Sequence, residues 1–132
     1  FGHWLKLGDR LVASGAKLPK IFTVNWFRKD ADGRFVWPGF GDNLRVLAWM
    51  LERVEGRGGG EEHLFGITPR YQDIHWHGLD FSEAQYRSVT SIDRAAWADE
   101  MKLHEDLFER LAHKLPPELL SAKAAIEARL AA

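Results

Sequence analysis

The chain has 132 residues, of which 18 are basic, 19 are acidic and none is cysteine. Charges of both signs are interspersed, which excludes the basic patch typical of proteins that bind nucleic acid or an anionic membrane. The absence of cysteine excludes disulfides, a thiolate zinc site and a cysteine nucleophile. No apolar run is long enough to predict a membrane span. We therefore expect a cytoplasmic protein with one domain. Because a helical pattern already begins at Phe1, we expect a piece of a longer protein.

The first predicted elements are a helix and a strand. Apolar residues recur at helical spacing over residues 1–14, and Gly15 is suited to end that helix. The segment Lys20–Phe27 is rich in β-branched and aromatic residues, which predicts a strand. Alternation along this strand places Trp26 on one face and Phe27 on the other.

A hairpin is predicted to continue this strand. Residues 29–33, KDADG, combine aspartates that bind nearby amides with a glycine that accepts positive φ, so residues 34–37, RFVW, should return antiparallel. The sequence PGFGDN then ends the strand, and the side chain of Asp42 or Asn43 is suited to cap the next helix. That helix is predicted over residues 44–54 and should end near a run of glycines.

The second half of the chain is predicted to be mainly helical. A short strand is expected over His63–Thr68, whereas residues 70–86 have no sustained period and are predicted to be mainly loop. Two C-terminal helices are predicted within about 91–131, interrupted by the LPP sequence at residues 115–117. The predicted fold class is therefore α/β, with an aromatic β-hairpin and short strands packed by helices.

Several other motifs favour structural interpretations over chemical ones. The glycines of Gly56–Gly60 lack the following Lys-Ser or Lys-Thr of a phosphate loop, so a flexible linker is predicted. The pair His75 and His77 has a spacing that suits zinc or copper, but no third ligand recurs nearby, and surface histidines are the preferred interpretation. We predict no metal site.

The helical charges likewise indicate no catalytic site. His104 lies on an apolar stripe and is interpreted as a core or boundary histidine. No nucleophile lies beside a base, and no paired carboxylates stand out. The remaining helical carboxylates are interpreted as parts of solvated helix faces, namely Glu105, Glu109, Glu118 and Glu127.

The stretch of residues 25–43 carries the densest cluster of aromatic side chains. A packed hairpin core accounts for one group of them, Phe35 and Trp37 with Phe22, Val24 and Trp26. It accounts poorly for Phe27, on the polar strand face, and for Phe40, between Gly39 and Gly41. Such rings suit stacking on a flat ligand, and the loop backbone and the Asn43 amide can supply hydrogen bonds to a base edge. A purine pocket, another aromatic-ligand pocket and a sugar site remain open on this chemistry alone.

A longer motif in the same stretch narrows these alternatives. The segment VNWFRKDADGRFVWPGFGDN, residues 24–43, resembles the guanine-binding stretch of the GTP-dependent phosphoenolpyruvate carboxykinases. The segments HWLKLG, KLPKIF, RVLAWMLERVEG and HKLPPELL resemble other parts of that family. The resemblance runs over most of the chain and is weakest between Gly58 and Ser91. The sequence departs from the family in Leu44, where serine is usual, and in Asp42, where glutamate is frequent.

The resemblance implies a set of guanine-binding residues. Phe27 and Phe40 would stack on the base, Phe35 would close against it, and Asn43 would help read the base edge. The pocket wall and the close backbone approach would come from Trp26, Gly39 and Gly41.

The resemblance also implies a reaction for the whole enzyme. The family interconverts oxaloacetate and GTP with phosphoenolpyruvate, GDP and carbon dioxide in gluconeogenesis, a lyase reaction that uses Mn²⁺ or Mg²⁺. Residues 1–132 would be the C-terminal part of its nucleotide-binding domain, without catalytic or metal-binding residues and inactive alone. Self-association through surfaces that the rest of the enzyme would cover is expected. The alternative is a stand-alone domain that uses its aromatic residues to bind protein or carbohydrate.

Overall fold

A computed structural model describes residues 1–132 and divides the chain into two compact units. One unit contains Phe1–Pro19 and Ile92–Ala132, and the other contains Lys20–Ser91. The helices are α1 (Gly2–Ala13), α2 (Asn43–Glu55), α3 (Glu83–Thr90), α4 (Arg94–Leu111) and α5 (Pro117–Ala131), and the strands are β1 (Glu61–His63) and β2 (Gly66–Thr68). The fold is thus helical with one two-stranded antiparallel sheet. No helix has both the length and the apolar character needed to cross a bilayer.

The ends of the first two helices confirm the predicted stop signals. After α1, the Ala16 N–H donates to the Leu11 carbonyl at 3.0 Å, and Gly15 takes φ +74. After α2, Gly56 takes a left-handed conformation with φ 80. Glycine adopts such backbone angles without a Cβ clash, so both ends are set by the local sequence.

The C-terminal helices were also predicted, but two of their carboxylates are not simply solvated. Lys123 of α5 is 8% exposed, and its ammonium donates to Glu105 of α4 at 3.0 Å and to Glu127 of its own helix. These hydrogen bonds, first the one donated to Glu127 and then the one donated to Glu105, raise the pKa of Lys123. The side chains of Glu105 and Glu127 are 62% and 42% exposed, in line with the predicted solvated faces, and both also pair with a lysine that α5 turns toward α4.

The predicted aromatic hairpin is reduced to a tight turn. An isolated bridge joins Lys29 to Phe35, and the Val36 N–H donates to the Arg28 carbonyl at 3.0 Å. Within the turn, Asp30 Oδ1 accepts from the backbone N–H groups of Asp32 and Arg34, each at 2.9 Å. The predicted chain reversal is confirmed.

The two strands predicted to flank this turn are wrong. Residues 20–27 and 34–37 form no ladder. Side-chain contacts replace the ladder: Phe27 meets Phe35 and Trp26 meets Trp37 between the two segments, while Phe22 packs against Trp49 with centroids 5.9 Å apart. Strand propensity measures the fit to a paired, half-buried surface, and this segment has no neighbouring strand to supply one. The strand predicted over His63–Thr68 is likewise split, because β1 and β2 pair across a turn at Leu64 and Phe65.

The glycine run after α2 is packed, so the prediction of a flexible linker is wrong. A Cβ on Gly59 would lie 2.6 Å from Asp73 Oδ1, and a Cβ on Gly60 would lie 2.7 Å from Ile67 Cγ2. The indole N–H of Trp49 donates to the Gly59 carbonyl at 2.9 Å. Small residues are needed here because the backbone itself touches its neighbours.

The unit Lys20–Ser91, called the central unit below, has its core largely in the segment predicted to be loop. Stacked rings join Tyr71 to Trp76 at 5.0 Å and Trp76 to Phe81 at 5.3 Å between centroids. Helix α3 follows, with Ser82 and Gln85 forming a reciprocal capping box. The prediction missed this helix because it is short, although Ser-x-x-Gln is a start signal that the sequence displays.

Candidate functional site

Two exposed phenylalanines lie side by side at the tight turn. The rings of Phe27 and Phe35 meet edge to face with centroids 6.1 Å apart, and the side chains are 72% and 58% exposed. The ammonium of Lys29 lies 5.2 Å from the centroid of the Phe35 ring. The Phe27 N–H donates to Asn25 Oδ1 at 3.0 Å, which bends the chain locally. The structure therefore brings two of the predicted guanine-binding residues together.

Arg28 ties this pair to the end of α3. Its guanidinium donates to the Val89 carbonyl at 3.2 Å, to the Ser91 carbonyl at 2.6 Å and to Ser91 Oγ at 2.8 Å. The guanidinium of Arg28 thus donates to two backbone carbonyls and a hydroxyl of this chain, rather than being left for a ligand. Sequence reasoning missed Arg28, because the sequence shows there only a cation next to an aromatic residue.

Phe40 occupies a strained turn that precedes α2. It is the one non-glycine residue with positive φ, at +45, and its side chain is 96% exposed. Gly39 has φ 77 and ψ −165, a region open essentially to glycine alone. A phenylalanine in the left-handed conformation costs about 1–2 kcal/mol. Because the ring of Phe40 is not buried within the chain, packing of the ring does not offset this cost. Such a backbone outlier marks a candidate functional position.

The Asn43 side chain is held by a buried tryptophan. Trp37 is 7% exposed, and its indole N–H donates to Asn43 Oδ1 at 2.7 Å. Trp37 also packs against Trp26, with centroids 6.2 Å apart, and against Phe81, at 5.4 Å. Trp26 is therefore part of the packing around Trp37, and one hydrogen bond joins Asn43 to that packing.

Asp42 and Asn43 begin α2 without capping it by their side chains. The predicted cap is wrong because both side chains are engaged elsewhere. The Asp42 carboxylate accepts from Arg45 Nε at 2.8 Å, while Asn43 Oδ1 accepts from the indole. The structure pairs Phe27 with Phe35 and Asn43 with Trp37, but the Phe40 ring stacks on neither pair.

Arg45 connects the Phe40 turn to the histidine loop. Besides its pair with Asp42, its guanidinium donates to the His75 carbonyl and to the His77 carbonyl, the latter at 3.0 Å. Its side chain is 18% exposed. Sequence reasoning also missed Arg45, because its backbone acceptors lie about a quarter of the chain length away.

The histidines do not form a metal site. His75 Nε2 lies 3.8 Å from Glu52 Oε1, and His104 Nε2 lies 3.6 Å from Glu100 Oε1. No group of three or more His, Asp or Glu side chains that could hold a metal ion occurs in the structure. Because the donor set for Mn²⁺ or Mg²⁺ is not present among these residues, no metal-dependent step is assigned to them.

Gly39 and Gly41 leave open space beside Phe40. Apart from atoms of the adjoining chain, no heavy atom lies within 4 Å of a Cβ built on either residue. A flat ligand could therefore approach this backbone closely while an exposed ring covers its face. This arrangement suits binding of a planar, polar-edged molecule, and it contains no group placed to transfer a proton or attack a carbonyl.

Comparison with known proteins gives the family of this chain. A family model described as "Phosphoenolpyruvate carboxykinase C-terminal P-loop domain" matches residues 1–129. Proteins named "Phosphoenolpyruvate carboxykinase [GTP]" are similar over most of the chain. That of Anaeromyxobacter dehalogenans is 45% identical over 89% of this chain and 19% of the relative, and that of Treponema pallidum is 42% identical over 98% of this chain and 21% of the relative. The chain thus spans about a fifth of the length of these relatives and belongs to the family of GTP-dependent phosphoenolpyruvate carboxykinases.

Proposed function

We propose that this chain supplies guanine recognition to a GTP-dependent phosphoenolpyruvate carboxykinase. The observation that carries the proposal is Phe40, which is 96% exposed and strained at φ +45 in a turn directly before Asn43. The strained backbone at Phe40 lowers stability, and the exposed ring adds no packing within the chain. This combination is expected where the ring serves a ligand. The turn lies inside a chain that belongs to a nucleotide-dependent family.

The proposed site holds the base by its two faces and its edge. Phe27 and Phe40 stack on guanine, and each ring contributes about 1–3 kcal/mol by comparison with other aromatic side chains that stack on bases. Phe35 supports Phe27 from the side, in line with their edge-to-face contact. Asn43 and the open backbone at Gly39 and Gly41 meet the edge of the base. Stacking supplies affinity for any base, so selectivity rests on the edge contacts.

The chain is proposed to act as the C-terminal part of the nucleotide-binding domain, over residues 1–132. The whole enzyme would convert oxaloacetate and GTP to phosphoenolpyruvate, GDP and carbon dioxide in gluconeogenesis, in the cytoplasm and with Mn²⁺ or Mg²⁺. Its phosphate-binding, metal-binding and catalytic residues would lie outside this chain. The purified chain is therefore expected to show no turnover with GTP, oxaloacetate and Mn²⁺, and sustained formation of phosphoenolpyruvate would overturn this part of the proposal.

Nucleotide binding is tested by titrating the chain with GDP and with ADP while following tryptophan fluorescence. Trp26 and Trp37 lie beside the proposed site, so saturable quenching is expected with GDP and not with ADP. Phe40→Ala should abolish the GDP response. Ile21→Ala is the matched control, since Ile21 is 90% exposed in the same unit but outside the proposed site, and it should leave the response intact. Identical responses to both nucleotides would exclude guanine recognition.

Self-association is a further part of the proposal. Apolar side chains at the start of the chain are exposed, with Phe1 at 70%, Trp4 at 72% and Val12 at 60%. Exposed rings of this kind favour association when no other surface covers them. Sedimentation velocity over a wide concentration range should show reversible oligomers that Trp4→Glu disperses. A monomer at all concentrations would exclude self-association and leave the nucleotide proposal standing.

A further inference from the structure

The orientation of the Asn43 carboxamide follows from the chemistry of its partner. The indole N–H of Trp37 can only donate a hydrogen bond, and it lies 2.7 Å from the Asn43 amide. The atom that faces the indole must therefore be the oxygen, because a carboxamide nitrogen there would set two donors against each other. The NH₂ group consequently faces away from Trp37.

The indole that imposes this orientation is itself immobilised. Trp37 is 7% exposed and meets three other aromatic rings, those of Trp26, Trp76 and Phe81, with centroids 5.4–6.3 Å away. A rotation of the indole away from Asn43 would displace these rings and leave its N–H without an acceptor in the core. The amide therefore has one favoured orientation before any ligand binds.

The NH₂ group of Asn43 is available to a ligand. It makes no hydrogen bond within the chain, and no buried side-chain nitrogen or oxygen lacks a partner. Since Asn43 is only half-buried, its NH₂ reaches solvent directly after the turn that carries Phe40. The site thus offers hydrogen-bond donors from this side chain, while its acceptor oxygen is turned toward the Trp37 indole.

We propose that Trp37 is a positioning residue for base selection, which acts by holding the Asn43 NH₂ toward the 6-position of the purine. Guanine carries an acceptor there, its O6 carbonyl, whereas adenine carries a donor, its N6 amino group. An amide free to flip would accommodate either base, but a fixed NH₂ matches O6 and opposes the amino group. This inference rests on the proposed guanine function, because it explains how that same site distinguishes purines.

The test removes the indole donor while keeping an aromatic ring. Affinities of the chain for GDP, IDP and ADP are measured by isothermal titration calorimetry, since fluorescence would change with the tryptophan itself. IDP keeps the 6-carbonyl and lacks the 2-amino group, so it should follow GDP. In Trp37→Phe the preference for GDP and IDP over ADP is expected to fall roughly tenfold to a hundredfold. In an Asn43→Ala background, Trp37→Phe should not change the preference further.

The matched control is Trp49→Phe. The Trp49 indole is 4% exposed and also donates a hydrogen bond, to the Gly59 carbonyl at 2.9 Å, but it lies outside the cluster of rings packed around Trp37. Its loss should destabilise the fold to a similar degree, as measured by calorimetry, without changing the nucleotide preference. Equal effects of both substitutions on the preference would overturn the positioning role and leave only a packing role.

A second variant keeps the inference falsifiable if Trp37→Phe does not fold. Asn43→Asp retains an oxygen for the indole and presents a second oxygen in place of the NH₂, so the preference should move toward ADP. An unchanged preference in Asn43→Asp would overturn the inference, as would a folded Trp37→Phe that still prefers GDP. In both cases, a wild-type chain that prefers GDP would leave the proposed function intact. A wild-type chain that binds all three nucleotides equally would instead remove that function and this inference together.

Discussion

Arg45 and Asp42 form an ion pair at the first turn of α2, with Arg45 Nε 2.8 Å from Asp42 Oδ1. The same guanidinium reaches the carbonyls of His75 and His77. Only 18% of the arginine side chain and 28% of the aspartate side chain are exposed. One residue thereby holds both the turn that presents Phe40 and a loop distant in sequence. The exposed ring of Phe40 is thus carried by a firmly anchored backbone.

Arg45→Ala should lower the free energy of unfolding by about 1–3 kcal/mol. The substitution leaves the carboxylate of Asp42 and two backbone carbonyls without their donor. Urea denaturation followed by circular dichroism measures the change. Arg34→Ala is the control, because Arg34 forms ion pairs with Asp30 and Asp32 while its side chain is 74% exposed, and such surface pairs contribute only about 0–1 kcal/mol. Equal losses in both variants would contradict the anchoring role.

Phe40→Asn should abolish the GDP response without loss of stability. The ring is 96% exposed, so its removal costs no packing, and asparagine accepts the left-handed conformation better than phenylalanine or alanine does. Relative to Phe40→Ala, the asparagine variant should be more stable by roughly 0.5–1 kcal/mol. Thermal unfolding of the two variants checks this order. If Phe40→Asn unfolds at a lower temperature than Phe40→Ala, the backbone at this position is not strained as described.

Gly60→Ala should destabilise the central unit by about 1–3 kcal/mol. The new Cβ would lie 2.7 Å from Ile67 Cγ2 and 3.0 Å from the Thr68 carbonyl oxygen, which belongs to the backbone of β2. Gly8→Ala provides the contrast, because Gly8 lies within α1 with nothing within 4 Å of its Cβ position. It should gain about 0.5–1 kcal/mol. Denaturant titrations in which Gly60→Ala matches the wild type would restore the linker interpretation.

Asp73→Asn should reduce stability at neutral pH and not in acid. Hydrogen bonds from the Arg70 side chain hold the pKa of the Asp73 carboxyl below its ordinary value. A carboxyl whose pKa is lower in the folded than in the unfolded state stabilises the protein above the unfolded pKa of about 3.9. That contribution is lost as the pH falls through the folded pKa. The difference in unfolding free energy between wild type and variant, measured from pH 7 down to about 2, should therefore shrink toward zero. A constant difference would exclude ionisation of Asp73 as its source.

Tyr86 should titrate at unusually high pH. Burial, followed by the nearby charges of Glu61 and Asp73, raises the pKa of Tyr86 to about 12. Its hydroxyl donates to the Pro69 carbonyl, a contact that only the neutral phenol makes. Since the folded pKa exceeds that of an unfolded tyrosine, the stabilisation persists below about pH 10 and is lost as the pH rises through the folded value. Ultraviolet titration should show this late step, and Tyr86→Phe should remove it.

The helices were predictable because their signals are local. The periodicity of α1, α2, α4 and α5, with the glycines that end the first two, lies within each segment and needs no partner. Helix α3 carried a local signal too, the capping pair Ser82 and Gln85, which is short enough to escape a search for periodicity.

The sequence indicated which aromatic residues belong to the candidate site, but not the contacts that hold them in place. Phe27 and Phe40 were singled out because no hairpin core explained them, and both are exposed. Their anchors, Arg28 and Arg45, were missed. An arginine that donates to backbone carbonyls more than 25 residues away leaves no pattern in its own neighbourhood. Such contacts exist only after the distant segments have folded together.

By itself, the amino-acid sequence determined where the main helices run, that the chain reverses at residues 29–33, and which family it belongs to. The tertiary structure decided the rest. The aromatic stretch lacks strands because no neighbouring strand completes its hydrogen bonds, and Gly59 is packed because Asp73 approaches its backbone. It also decided the orientation of the Asn43 amide, through a hydrogen bond from an indole that distant rings hold in place. Local conformational preferences are encoded residue by residue, whereas partners and orientations depend on contacts between segments far apart in the chain.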